Sequence, residues 1–105
     1  MATVELKEHE WESFSKADYA VIDCYGDQCT ACVMLEPVYD GVADELSAVP
    51  FGRINITRYP EIAETYNISA MPTVLYFRNG ELVNQSIGSI ERDELLEYIS
   101  TLLYE

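Results

Sequence analysis

Tyr19-Ala-Val-Ile-Asp-Cys-Tyr25, the short link Gly26-Asp27-Gln28, then Cys29-Thr30-Ala31-Cys32 opening a helical run to Ser47: this stretch decides the fold. The first seven residues are almost all apolar. Such a run suits a strand buried on both faces, as in a parallel sheet. Gly26 to Gln28 reads as a turn. Thr30 to Ser47 then has helical spacing, with Val33, Met34, Val38, Val42 and Leu46 on one side. Pro37 lies inside that helix and supplies no N–H to it.

Outward from this unit the pattern alternates. Glu5 to Ala17 reads as a surface helix carrying Leu6, Trp11 and Phe14. Phe51 to Thr57 reads as a second buried strand. Tyr59-Pro60 opens a short helix through Tyr66, with proline suited to the first turn. Asn67 to Met71 is a loop, and Thr73 to Phe77 a third strand. Arg78-Asn79-Gly80-Glu81 is a hairpin turn, because Asn-Gly readily adopts the two left-handed conformations it needs. Leu82 to Ile87 returns, Gly88-Ser89 breaks, and Glu91 to Tyr104 is a last helix. Its stripe is Leu95, Leu96, Ile99, Leu102 and Leu103. Strands alternating with helices, then a late hairpin, give an α/β domain with a mixed sheet and helices on both faces.

The chain has 105 residues, 49% of them hydrophobic. That length makes one domain, residues 1–105, able to bury roughly two-thirds of its unfolded surface without a disulfide staple or metal. Six basic residues against 19 acidic ones leave a net charge of −13. Phosphates and anionic lipids are repelled by such a balance, so neither nucleic acid nor a membrane is expected as partner. No apolar run approaches the roughly 20 residues that span a bilayer. A start at Met1 without a secretory signal pattern points to the cytoplasm.

Three cysteines lie close together, Cys24, Cys29 and Cys32. Cys29 and Cys32 sit where a strand hands over to a helix. Helix N-terminal N–H groups stabilise a thiolate, which lowers the pKa expected for Cys29. One helical turn separates the two sulfurs, which brings them within disulfide reach. In this reading Cys29 is the exposed nucleophile and Cys32 resolves the mixed disulfide. The same motif is also half of a zinc site, and a zinc site wants four ligands. Only Cys24 and His9 offer themselves besides carboxylates. Cys24 reads as a buried thiol within its strand. Asp23 is an ionisable group inside an apolar run, where a raised pKa suits proton transfer near neutrality. Arg53, opening the next strand, is placed to oppose that rise. Pro72 stands at the first position of a strand, where proline is tolerated.

Taken together, Val21-Ile-Asp23, Cys29-x-x-Cys32, Pro37 five residues beyond, Met71-Pro72-Thr73, Phe77-x-Asn79-Gly80 and Gly88 resemble the thioredoxin family over nearly the whole chain. The resemblance implies a central mixed sheet of about five strands flanked by four helices. It also implies a further short strand near Thr3-Val4, which the periodicity does not announce. It implies a thiol–disulfide oxidoreductase that reduces protein disulfides through a Cys29–Cys32 cycle. Asp23 would assist deprotonation of Cys32, and Pro72 would be the cis-proline beside the disulfide. Met71 would offer its backbone to an extended substrate. Gln28, Thr30, Ala31, Ile56, Ala70, Met71, Ile87, Gly88 and Ser89 would form the substrate groove, with Arg53 supporting Asp23. No bound cofactor is implied beyond the redox-active disulfide. The partners implied are disulfide-containing proteins and a thioredoxin reductase, and the protein would be a monomer.

The chain departs from the family's Trp-Cys-Gly-Pro-Cys-Lys. Gln28-Cys-Thr-Ala-Cys-Val33 stands there instead. Loss of the tryptophan removes an apolar lip, and loss of the proline shifts the redox potential. Three rival readings stand beside the reductase: a specialised member with one dedicated partner or a nonstandard reductase, an interaction module with little turnover, and a cysteine-ligated metal site, the last disfavoured because the proline beside the dithiol would crowd a metal in this fold.

Overall fold

The computed structural model describes residues 2–105. Nine elements follow one another: β1 (Thr3–Leu6), α1 (Glu8–Ser15), β2 (Tyr19–Tyr25), α2 (Thr30–Glu45), β3 (Phe51–Asn55), α3 (Pro60–Thr65), β4 (Thr73–Arg78), β5 (Glu81–Ile87) and α4 (Arg92–Tyr104). The sheet runs β1-β3-β2-β4-β5. β3 lies parallel to both β1 and β2, whereas β4 is antiparallel to β2 and β5. This is the mixed five-stranded sheet with four helices that the resemblance implies.

Side chains alternate across β2, and the alternation divides the core in two. Val21 faces α2 and α4 together with Leu35, Tyr39, Phe51, Tyr76, Leu95 and Ile99. Ala20, Ile22 and Cys24 face α1 and α3 together with Leu6, Trp11, Ile54, Ile62 and Phe77. Trp11, Tyr66 and Phe77 pack there with ring centroids 5.4–5.8 Å apart. At the hairpin Asn79 and Gly80 have φ of 53° and 82°, the two left-handed positions a tight primed turn demands.

Two elements differ from the sequence reading. The stretch from Glu5 is not helical at its start, because Thr3–Leu6 pairs with β3 and buries Leu6. The helix begins only at Glu8, where the Glu10 carboxylate accepts a hydrogen bond from the Lys7 N–H at 2.8 Å. The second difference is the rotation of α2. Its buried face is Cys32, Leu35, Tyr39, Val42 and Ala43. Val33 and Met34 are instead 68% and 62% exposed. The helix is apolar around much of its circumference, so spacing alone leaves its phase open. Tyr39 settles the phase: its hydroxyl is shared between the carbonyls of Val21 and Gly52, at 2.9 and 2.7 Å.

That buried hydroxyl ties α2 to β2 and β3 at once. Tyr39→Phe keeps the ring and removes the hydrogen bond. It should cost about 1–2 kcal/mol. The expected result is a lower urea midpoint at an unchanged slope; an unmoved midpoint would mean that packing alone sets the phase.

Candidate active site

β2 ends in the middle of the sheet, and the chain turns there into α2. Gln28 takes a left-handed φ of 53° in that turn. Cys29 is the N-cap of α2: its backbone is extended, and its Sγ accepts a hydrogen bond from the Cys32 N–H at 3.1 Å. The two cysteines are joined as a disulfide, with Cα atoms 5.2 Å apart. Cys29 is partly exposed, whereas Cys32 is 4% exposed on the buried face of α2. Only one of the two sulfurs is therefore open to a large reactant.

Asp23 lies on the sheet face that α2 covers and is 1% exposed. Its Oδ1 has no hydrogen-bond partner among the described residues. Burial raises its pKa to about 7; the Arg53 charge opposes the rise, while Asp40, Glu36 and Glu5 add to it. Arg53 is the register neighbour of Asp23 on β3, as the sequence suggests. Yet its guanidinium is taken up elsewhere. It lies 3.4 Å from Glu36 and 3.7 Å from Glu5, and it stacks over the Tyr25 ring at 4.2 Å. Tyr25 in turn donates a hydrogen bond to Glu5 at 2.7 Å.

Pro72 is buried, and the Met71–Pro72 bond is cis. The Pro72 carbonyl accepts from the Gly88 N–H at 2.7 Å, and the Thr73 hydroxyl donates to the Ala70 carbonyl at 2.8 Å. These bonds bring the segments of Ala70-Met71 and Gly88 together beside β4. Met71 lies over Gly26: a Cβ there would clash with the Met71 thioether and come within 2.6 Å of the Thr57 hydroxyl. Thr57 also accepts a hydrogen bond from the Asp27 N–H, and the Asp27 carboxylate accepts one from Asn55 at 3.0 Å. Glycine at 26 thus lets the loop before Cys29 and the loop before Pro72 close on each other.

Of the remaining groove candidates, Gln28, Thr30, Ala70, Met71, Ile87 and Ser89 are exposed, and Ala31 and Gly88 partly so. Ile56 is not at the rim; it is 7% exposed, in the core with Ile54 and Ile62. Cys24 is a free buried thiol on the far face of the sheet, and burial pushes its pKa far up. His9 is exposed on α1. Among the described residues, no group of three or more His, Cys, Asp and Glu is placed to hold a metal ion. Sequence reasoning missed Glu5, Tyr25 and Glu36. The only signal was Glu36 one turn beyond Cys32 on α2; Glu5 becomes a neighbour of Arg53 through β1.

The thioredoxin family model matches residues 2–101. The chain belongs to the thioredoxin family. Thioredoxin of Chlamydia caviae is 33% identical over 90 residues, 86% of this chain and 88% of that one. Thioredoxin of Rickettsia bellii is 34% identical over 91 residues, 85% and 87% of the two chains. Among solved structures, Malassezia sympodialis thioredoxin superposes with a TM-score of 0.85 at 25% identity, covering 96% of this chain and 90% of that one. A mutant thioredoxin of Halobacterium salinarum gives 0.87 at 25% identity, covering 95% and 89%. This thioredoxin-family protein is a thiol–disulfide oxidoreductase with a Cys29–Cys32 pair at its helix start.

The buried carboxylate makes stability depend on pH in a stated direction. Unfolded, Asp23 ionises near 3.8; folded, near 7. Between these values the folded state holds more protons, so the contribution of Asp23 to stability is full below about pH 4 and lost as pH rises towards 7. The loss is of order 4 kcal/mol. Asp23→Asn should therefore gain on the wild type across that window and hold its lead at pH 8. Urea unfolding of both proteins from pH 4 to 8 checks it; a constant difference would place the Asp23 titration outside the window.

Proposed function

We propose that this protein reduces disulfides of other proteins through Cys29 and Cys32. The Cys29 thiolate attacks one sulfur of a target disulfide. A Cys29–target bond forms, and the other target sulfur leaves as a thiolate, taking up a proton. Cys32 loses its proton and attacks Cys29 Sγ. The second target thiolate leaves, and the Cys29–Cys32 disulfide forms. Two electrons have passed from the pair to the target. A thioredoxin reductase returns them.

The observation that carries this reading is the unequal exposure of two bonded sulfurs at a helix N-terminus. Cys29 is reachable and Cys32 is covered. The N-terminal dipole of α2 favours a thiolate at Cys29. Asp23, with a pKa near 7, takes the Cys32 proton in this scheme. In this scheme Pro72, in cis linkage to Met71, sets Met71 at the edge of the groove. No hydrogen bond within the protein engages the Met71 N–H or carbonyl among the described residues. Both are then available to an extended target segment by strand-like pairing. Gln28, Thr30, Ala31, Ala70, Ile87, Gly88 and Ser89 edge that groove. The chain works as one domain and a monomer in the cytoplasm, with no bound cofactor. No helix is long and apolar enough to cross a membrane among the described residues.

Reduction of insulin disulfides, followed by precipitation of the free B chain, tests the scheme. Cys29→Ser should lose turnover. Cys32→Ser should instead accumulate a mixed disulfide, visible as an added target mass. Wild-type turnover by Cys29→Ser would sink the assignment of the attacking sulfur. A dithiol potential near about −270 mV would mark a reductant, and one near about −120 mV an oxidant.

A further inference from the structure

Large apolar side chains with substantial exposure are few in the described residues. Two of them directly follow Cys32 in sequence, Val33 and Met34; two more, Met71 and Ile87, directly precede Pro72 and Gly88. Met71 and Ile87 belong to the groove already proposed. Val33 and Met34 do not. They rise from the first turns of α2 on its solvent side, where the rotation fixed by Tyr39 leaves them. Met34 opens onto a hollow of about 580 Å³ between α2 and the start of α4. Its apolar lining is Met34, Val38 and Ile90, and Ser89 joins it to the groove.

The charges around this hollow are one-sided. Glu91 and Asp93 stand on its α4 rim. Arg92, also on that rim, is engaged by Glu45. On the other flank of α2, Val33 borders a second hollow with Glu36 and Asp40. An acidic partner is repelled from both flanks, and a basic one is attracted.

We propose that the α2–α4 hollow is a second target subsite, which takes an apolar side chain of the target protein next to lysine or arginine. The proposal rests on the dithiol reduction above and names the class of target that it serves best. A target disulfide placed on Cys29 would reach past Cys32 on the α2 side and seat its apolar residue on Met34, Val38 and Ile90. Its basic residues would lie by Glu91 and Asp93. Apolar contact on this side of the disulfide stands in for the tryptophan lip that Gln28 lacks.

Two disulfide-bridged peptides test it, identical except for Leu-Arg-Arg or Leu-Glu-Glu beside the attacked cysteine. 2-Hydroxyethyl disulfide, too small to span the hollow, reports the dithiol itself. The wild type should reduce the arginine peptide about tenfold faster in kcat/KM, with the preference shrinking as salt is raised. Met34→Ser should lower kcat/KM for the arginine peptide about fivefold. Glu91→Gln with Asp93→Asn should erase the preference while leaving the apolar floor in place. Equal rates for the two peptides, or a preference that survives both variants, would overturn the subsite. Failure to reduce any of the three disulfides would instead overturn the dithiol reading, and the subsite with it.

Discussion

Strand β2 is pinned on both edges by β3 and β4, and on both faces by helices. The rest of the molecule is placed relative to it. Its residues cannot shift register by one without exchanging the two faces, which would put Asp23 among Trp11 and Phe77 and Cys24 beneath α2. Because the strand is rigid and central, the helix that follows starts at a defined point in the middle of the sheet. Tyr39 then sets the rotation of that helix through carbonyls of β2 and β3. The position of one sulfur in the open and the other under cover is the product of these two constraints.

Electrostatics around Asp23 have the same origin. Parallel pairing sets Glu5, Arg53 and Asp23 side by side across three strands, and α2 adds Glu36 and Asp40 from above. Arginine keeps its charge at any working pH, so its influence on Asp23 does not switch off as a lysine's can. Here that influence is divided, since the guanidinium also serves two carboxylates and the Tyr25 ring. Burial therefore outweighs it, and the carboxyl stays poised near neutrality rather than being locked as a salt bridge.

What the sequence disclosed followed from strong local signals. The seven-residue run Tyr19–Tyr25 coincides with β2 because a doubly buried strand leaves no polar interruption except Asp23. Asn79-Gly80 marked its turn because few other residue pairs tolerate two left-handed conformations. Pro60 stands at the first turn of α3 as read. The weak points were physical as well. β1 has a half-exposed, acidic pattern and only one partner strand, so nothing local distinguishes it from the helix that follows. Val33 and Met34 looked like core because α2 has more apolar residues than its buried face can hold. Ile56, placed in the groove by likeness, is drawn inward beside Ile54 and Ile62. The network of Glu5, Tyr25, Arg53 and Glu36 joins three strands and a helix, and no spacing along the chain foreshadows such a meeting.

The seclusion of Cys24 has a consequence for how long the molecule lasts. A protein that cycles electrons meets peroxides and mixed disulfides throughout its life, and oxidants act on thiolates. The third sulfur is kept protonated and lies across the sheet from the other two. Three cysteines allow three different pairings, yet only one pairing is geometrically open here. The sheet behaves as an insulator between a wired and an unwired half of the same small body. Wear is confined to the half that is regenerated on every turn of the cycle.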